Sequence, residues 1–161
     1  MKKLSPYRFA DLSEEIQKKA RKGDDYCSTC GHRIIMYSKA LGKQTALLLI
    51  KLYKAHQRFG DDRFFTTREL YPRDNKSSTE GITARFWGLI EIAESTNSIG
   101  APAGAYKLTD LGRRFVMGLQ RVPSHAITYN NELLRLDGRK MTDIRQALGK
   151  KIDFDEIMRE V

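Results

Sequence analysis

Residues 41–59, LGKQTALLLIKLYKAHQRF, constrain the fold more than any other segment. Their apolar side chains recur at the three- and four-residue spacing of an α-helix and cover most of its circumference. Gly60 follows and ends the pattern. A helix with so wide an apolar face must be buried on most sides, so we expect it to be the central helix of the core. The positions that define this face are Leu41, Ala46, Leu48, Leu49, Ile50, Leu52, Tyr53 and Ala55.

The 161 residues are enough for one domain with a small appendage, and a chain of this size buries a core without disulfides. The longest apolar run, residues 46–50, is far too short to span a bilayer. The N-terminal lysines are not followed by the apolar stretch of a secretory signal. Two cysteines do not make the framework of a secreted domain. We therefore expect a cytoplasmic protein that does not associate with a membrane.

Positive charge is concentrated in the first part of the chain. The net charge is +9, and residues 1–60 hold 13 Lys and Arg against 5 Asp and Glu, whereas residues 61–161 hold 16 against 15. Such asymmetry favours a polyanionic partner, although a merely solvated surface has the same composition. Part of the excess lies in a predicted N-terminal basic helix, capped by Asp11 and ending before Gly23. Its basic residues are Lys18, Lys19, Arg21 and Lys22.

Short helices and short strands alternate after the central helix. Helix starts are marked by capping boxes, in which a hydroxyl residue is followed three positions later by Glu. Strands are marked by pairs of apolar residues with high β-propensity, or by apolar residues that alternate with charged ones. The predicted order is a strand at 64–65, a helix from Thr66 to Tyr71, a helix from Ser77 to Gly88, strands at 89–92 and 106–108, and a helix capped by Thr109 or Asp110.

This order resembles the winged helix-turn-helix family of DNA-binding proteins over about residues 41–119. Members often have a Gly-Leu-Ile step after the recognition helix and a Leu-Thr-x-x-Gly step after the wing. The matching residues are Gly88-Leu89-Ile90 and Leu108-Thr109-Asp110-Leu111-Gly112. The predicted fold class is therefore α+β and mainly helical. It has a winged helix-turn-helix core, an N-terminal basic helix and a C-terminal β-hairpin and short-helix appendage.

Three segments follow from this interpretation. Residues 1–40 carry the basic helix and a CxxC knuckle, residues 41–121 form the winged-helix domain, and residues 122–161 form a small hairpin-helix module. In the last segment Asn130-Asn131 is a hairpin turn, Asp137-Gly138 a second turn, and Thr142 the cap of a short helix. Its apolar residues cover its own hairpin, dock on the winged helix or form a homodimer. It weakly resembles small phage and prophage proteins, which implies a phage or mobile-element regulator or accessory factor.

The resemblance implies that residues 78–87 enter the major groove of DNA and that the wing contacts the backbone or the minor groove. The outer face of that helix is predicted to carry Thr79, Glu80, Thr83, Ala84 and Trp87. This face has no Arg, Lys, Asn or Gln for the common bidentate base contacts, so a protein-protein adaptor is the alternative function. The predicted DNA-binding residues are Arg73, Lys76, Ser78, Thr79, Thr83, Arg85 and Lys107, together with Lys18, Lys19, Arg21 and Lys22.

The segment Cys27-Ser-Thr-Cys30-Gly31-His32 has the spacing of half a zinc site. Cys27, Cys30 and His32 are the candidate ligands of a structural zinc ion, completed by another histidine, a nearby carboxylate or a partner chain. The alternatives are free thiols in a reducing compartment, a vestigial site or a redox pair. Either no cofactor or a structural zinc is therefore expected.

Catalytic constellations are not apparent in the sequence. It has no phosphate-binding glycine loop followed by lysine, no GxSxG elbow and no HExxH motif. The paired carboxylates at 24–25 and 61–62 lie in polar turns, where solvated side chains are common. We therefore expect a DNA-binding protein that is not an enzyme.

Overall fold

The computed structural model of the chain describes residues 14, 18, 25–26, 33–34, 36–72, 83–93, 104–129 and 132–160. Its strands are β1 (Asp25–Tyr26), β2 (Arg33–Ile34), β3 (Tyr37–Ala40), β4 (Ile90–Ile92), β5 (Tyr106–Leu108), β6 (Val122–Tyr129) and β7 (Glu132–Thr142). Its helices are α1 (Lys43–Phe59), α2 (Thr67–Leu70), α3 (Asp110–Val116), α4 (Ile144–Leu148) and α5 (Phe154–Arg159), with a 3₁₀ helix at Ala84–Trp87.

The prediction of a mainly helical fold is wrong. The chain is α+β, with a long β6–β7 hairpin in which the strands have 8 and 11 residues. The sequence was misleading at two places. Asp137-Gly138 has the composition of a turn but lies inside β7, and Pro123 lies inside β6 near its start. Pro123 does not interrupt the ladder with β3, which begins only at His125.

The chain divides into two compact units, residues 1–40 with 125–137 and residues 41–124 with 138–161. In the described part of the first unit, β1 and β2 pair antiparallel. A separate three-stranded sheet has the order β3–β6–β7, with Tyr37 opposite Thr128 and Ala40 opposite His125. Thus the hairpin predicted as part of a C-terminal appendage pairs with residues that precede α1. Residues 126–129 are all buried.

Helix α1 is the centre of the second unit, as its wide apolar face predicts. It packs against α2, α3, α4 and β5. Gly60 ends it with a φ of 107°, a conformation that favours glycine. The core of this unit consists of fully buried or nearly buried side chains from every one of these elements. They include Leu48, Leu49, Ile50, Leu52, Phe65, Leu70, Trp87, Leu89, Leu108, Phe115, Val116, Ile144 and Leu148.

A small antiparallel sheet closes one side of the second unit. β4 pairs with β5, with Glu91 opposite Lys107, and Phe65 joins β5 through an isolated bridge to Tyr106. The two hydrogen bonds of this bridge measure 2.7 and 2.8 Å. The strand predicted at 64–65 is thus reduced to one paired residue, but it pairs with β5.

Local capping signals predicted several helix starts. Thr66 and Glu69 form the predicted capping box: the Thr66 hydroxyl accepts from the Glu69 N–H at 3.2 Å, and the Glu69 carboxylate accepts from the Thr66 N–H at 2.7 Å. Thr109, one of the two residues proposed, caps α3. The cap of α4 is Asp143 rather than Thr142, because the Asp143 carboxylate accepts from the Gln146 N–H at 2.8 Å. An ionised acceptor at the N-terminus also suits the helix dipole.

His56 is a buried polar residue on α1. Its Nε2 lies 3.0 Å from the carbonyl oxygen of Arg63, and its ring is tilted against that of Phe65 at 5.4 Å. Burial lowers the pKa of His56, since the charged imidazolium loses solvation, although the backbone contact acts in the opposite direction. The native state therefore favours neutral His56.

The helices in the described ranges fall short of the length and apolarity that a membrane crossing requires. α1, with 17 residues, carries three lysines and an arginine.

Candidate nucleic-acid interface

The segment Thr83–Gly88, the end of the predicted reading helix, is anchored to the core. Residues 84–87 form a 3₁₀ helix, and Gly88 ends it in the left-handed region with a φ of 71°. Because a 3₁₀ helix has three residues per turn, Ala84 and Trp87 share one face. Both are buried, as is Phe86. The prediction that Ala84 and Trp87 belong to an outer, DNA-facing surface is therefore wrong, because both side chains pack into the core of the second unit.

Two polar contacts fix this segment further. The Trp87 indole N–H donates to the carbonyl oxygen of Pro123 at 2.7 Å, which satisfies the polar group of a buried ring. The hydroxyl of Thr83 lies 3.3 Å from that of Thr45 on α1. Thr83, predicted as a DNA-contacting residue, is half-buried and directed toward α1. The segment is thus attached to α1 through Thr83 and to the start of β6 through Trp87.

Arg85 is the exposed side chain of the 3₁₀ helix, between three buried neighbours. Its guanidinium carbon lies 5.1 Å from the centroid of the Phe86 ring. A planar guanidinium presents five N–H donors, which suit either phosphate oxygens or the edge of guanine. The backbone of Arg85 is held on both sides by buried neighbours.

The two sequence steps that carry the resemblance contact each other. The Thr109 N–H donates to the carbonyl oxygen of Leu89 at 3.1 Å, and the Thr109 hydroxyl donates to that of Gly88 at 2.5 Å. The same hydroxyl accepts from the Gly112 N–H at 3.1 Å and so caps α3. Gly112 is buried, and a Cβ there would collide with the Leu89 backbone. Threonine and glycine at these positions therefore lock the start of α3 onto the end of the 3₁₀ helix.

Lys107, predicted at the base of the wing, is largely neutralised by its neighbours. Its ammonium lies 3.4 Å from the Glu91 carboxylate across the strand pair and 5.2 Å from the centroid of the Phe64 ring. Its side chain is only 23% exposed. A phosphate would have to compete with Glu91 for this cation.

Sequence reasoning did not single out two exposed cations on the helices that precede the reading segment. Lys51 on α1 lies 3.4 Å from the carbonyl oxygen of Leu70 and 4.3 Å from the centroid of the Tyr71 ring. It therefore lies at the end of α2. Arg68 is exposed on α2 itself. The signal for Lys51 was its polar position within the apolar pattern of α1, but only the packing of α1 against α2 places it there.

The remaining predicted site residues are placed as follows. Lys18 is exposed and helical. The other predicted DNA-binding residues lie outside the described ranges, and their roles stay predictions. They are Lys19, Arg21, Lys22, Arg73, Lys76, Ser78 and Thr79.

The proposed zinc ligands Cys27, Cys30 and His32 also lie outside the described residues. The strands on either side are described: Tyr26 of β1 pairs with Arg33 of β2, so the two ends of the intervening six-residue connection are adjacent. Among the described residues, His, Cys, Asp and Glu form no cluster able to hold a metal ion. The structural zinc stays a prediction.

The described part of the candidate interface thus combines a fixed backbone with a few exposed cations. The described residues do not form a recognisable catalytic site. Comparison with protein-family models, with curated proteins and with solved structures finds no match to this chain.

Proposed function

We propose that residues 41–121 bind double-stranded DNA without catalysing a reaction, with the segment that ends at Trp87 lying in the major groove. The order and packing of the elements support this proposal. α2 packs on α1, the 3₁₀ segment is tied to α1 through Thr45 and Thr83, and the β4–β5 pair follows directly. In helix-turn-helix proteins the second helix lies in the major groove and the first crosses the backbone.

The observation that carries the proposal is the exposure of Arg85 on an otherwise buried, doubly anchored 3₁₀ helix. The backbone that carries this cation is already fixed, so contact with DNA would not require further ordering of the main chain. The exposed cations Lys51 and Arg68 lie on the two preceding helices. The basic N-terminal segment would add attraction to phosphates that does not depend on base sequence.

The test is fluorescence anisotropy of a labelled random-sequence duplex, titrated with the whole protein over a series of salt concentrations. We expect binding that weakens steeply as salt rises, because bound cations release counterions. Arg85→Ala should weaken binding. A phosphate contact lowers the salt slope by about 1, whereas a base contact costs about 1–3 kcal/mol on a preferred site and little on random DNA.

Arg114→Ala is the matched control, since Arg114 is an exposed arginine on α3 and its removal changes the net charge equally. Equal losses for the two variants would reduce Arg85 to a contributor to overall charge. Charge reversal at Lys18, Lys19, Arg21 and Lys22 should weaken binding to all sequences. If that set abolishes binding while Arg85→Ala changes nothing, the basic arm binds DNA and the 3₁₀ segment is only a scaffold.

A protein-protein adaptor is the second candidate, and exposed apolar side chains favour it. Met117 and Leu119, just after α3, are 49% and 68% exposed, and Phe59 at the end of α1 is 55% exposed. Apolar side chains of this size are enriched where proteins associate, although single exposed residues are common. Absence of duplex binding at low salt would favour the adaptor over the DNA-binding function.

A further inference from the structure

The last helix, α5, is attached to the second unit by polar contacts at both of its ends. Near its start, the Asp155 carboxylate accepts two hydrogen bonds from the Arg145 guanidinium, at 2.8 and 3.1 Å. Beyond its end, the Lys54 ammonium donates to the carbonyl oxygens of Ile157 and Glu160, the latter at 2.6 Å. A cation at a helix C-terminus is stabilised by the helix dipole and by the unpaired carbonyls.

Apolar burial supports these contacts only in part, since Phe154, Ile157 and Met158 are half-buried. None of the side chains of α5 is buried. The Arg145–Asp155 pair is more than half exposed on both sides. The hydrogen bonds from Arg145 hold the pKa of Asp155 below its ordinary value, so the carboxylate is ionised at neutral pH. Exposed ion pairs contribute little to stability and are screened by salt, so this helix belongs to the part of the unit that opens most easily.

The segment that contains α5 has a net negative charge and contacts two cations. Residues 153–160 contain four carboxylates and one arginine. Lys54 on α1 contacts the helix carbonyls, and Arg145 on α4 contacts a carboxylate of α5. Lysine and arginine side chains are also the ones that bind phosphate. Arg145 also lies 4.8 Å from the Phe154 ring, which keeps its guanidinium beside α5.

We propose that α5 is an autoinhibitory contact, in which Asp155 and the C-terminal carbonyls of the helix occupy Arg145 and Lys54 until a nucleic-acid polyanion displaces them. The inference rests on the proposed function, since it takes DNA as the displacing ligand. Binding would then expose two further cations, and the affinity measured for the whole chain includes the work of opening α5.

The central comparison is between Asp155→Asn and Glu156→Gln in the full chain. Both variants remove one carboxylate from the first turn of α5, so overall charge and helix dipole change equally, but Glu156 forms no ion pair within the described part of the chain. Hydrogen exchange of amides 156–160 measures the opening of α5 directly. We expect faster exchange in Asp155→Asn, with exchange in Glu156→Gln close to that of the wild type.

Binding of the labelled duplex should follow the same pattern. Asp155→Asn should lower the Kd about two- to fivefold relative to Glu156→Gln, the range set by the modest strength of an exposed ion pair. Heparin, added to the wild type at constant ionic strength, should accelerate exchange at 156–160. Equal duplex affinities for the two variants, or unchanged exchange with heparin, would overturn the inference.

Failure of the proposed function has a different signature. If neither the wild type nor Asp155→Asn binds the duplex at low salt, DNA binding is refuted. The exchange experiment with heparin still decides whether α5 responds to a polyanion, because it does not depend on the duplex.

Discussion

Replacement of Gly112 by alanine should destabilise the second unit more than any other exchange of a described glycine. A Cβ at this position would lie 3.0 Å from the Leu89 carbonyl carbon and 3.0 Å from the Leu108 Cδ2, and nearer still to the Leu89 carbonyl oxygen. That oxygen accepts the Thr109 N–H bond, so the main chain must shift where α3 meets the end of the 3₁₀ helix.

The size of the effect follows from three contributions. Overpacking of a close backbone contact costs about 1–3 kcal/mol. Weakening of the Thr109–Leu89 hydrogen bond costs about 1 kcal/mol. The higher helix propensity of alanine offsets up to about 1 kcal/mol. We therefore expect Gly112→Ala to lower the free energy of unfolding by about 2 kcal/mol, which corresponds to a fall in Tm of roughly 4–8 °C for a chain of this length.

Urea unfolding followed by far-ultraviolet circular dichroism, with thermal scans in parallel, measures this change. Gly138→Ala is the matched control, because Gly138 is exposed in β7 and a Cβ there would meet no atom within 4 Å. That variant should be neutral or more stable by about 0.5 kcal/mol, since alanine restricts the unfolded chain. A Gly112→Ala protein within about 0.5 kcal/mol of the wild type would refute the close contact between Gly112 and Leu89.

Three further predictions concern a cap, a buried histidine and the cysteines. Thr109→Val should cost about 1–2 kcal/mol in urea unfolding through loss of the α3 cap, whereas Thr109→Ser should keep most of the stability; equal losses would contradict the capping role. Because burial lowers the pKa of His56, this histidine is protonated at a higher pH in the unfolded chain than in the native chain. The free energy of unfolding should therefore be constant above pH about 6.5 and fall below it. The His56→Phe variant should lack this fall in stability at low pH. An unchanged pH dependence in that variant would contradict the role of His56. If Cys27 and Cys30 ligate zinc, metal analysis should find about one equivalent per chain or per dimer, lost in Cys27→Ser; far less than half an equivalent in the wild type would end that hypothesis.

Much of the local structure of the second unit was predictable from the sequence. The apolar face of residues 41–59 requires burial on most sides, and α1 is the central helix because no exposed position accommodates such a face. Thr66 and Glu69 form their capping box because both partners lie within one turn. Signals of this kind act over three or four residues, so neighbouring side chains alone determine them.

The candidate interface was predictable only in outline. Residue spacing indicated a helix that ends at Gly88, and Arg85 was among the predicted contacts. Whether its neighbours face solvent depended on tertiary packing, which buries Ala84 and Trp87 instead. The partner of Lys107 depended on strand register, which places Glu91 opposite it. Charge counts in the sequence do not reveal such neutralisation, because ion pairing depends on distances in space.

The sequence by itself determined where α1 lies, that Thr66 caps α2, and that Gly88 ends the helix before β4, because each depends on contacts within a few residues. For the cap of α3 it left Thr109 and Asp110 as alternatives. Only the tertiary structure decided that β3 pairs with β6 and that β7 runs through Asp137-Gly138. Strand pairing joins residues about ninety positions apart in the sequence, such as Tyr37 and Thr128, and a long strand can extend through a dipeptide that favours a turn in isolation. The mainly helical prediction was wrong for this reason, since local propensity does not include the stabilisation that a strand gains from a distant partner.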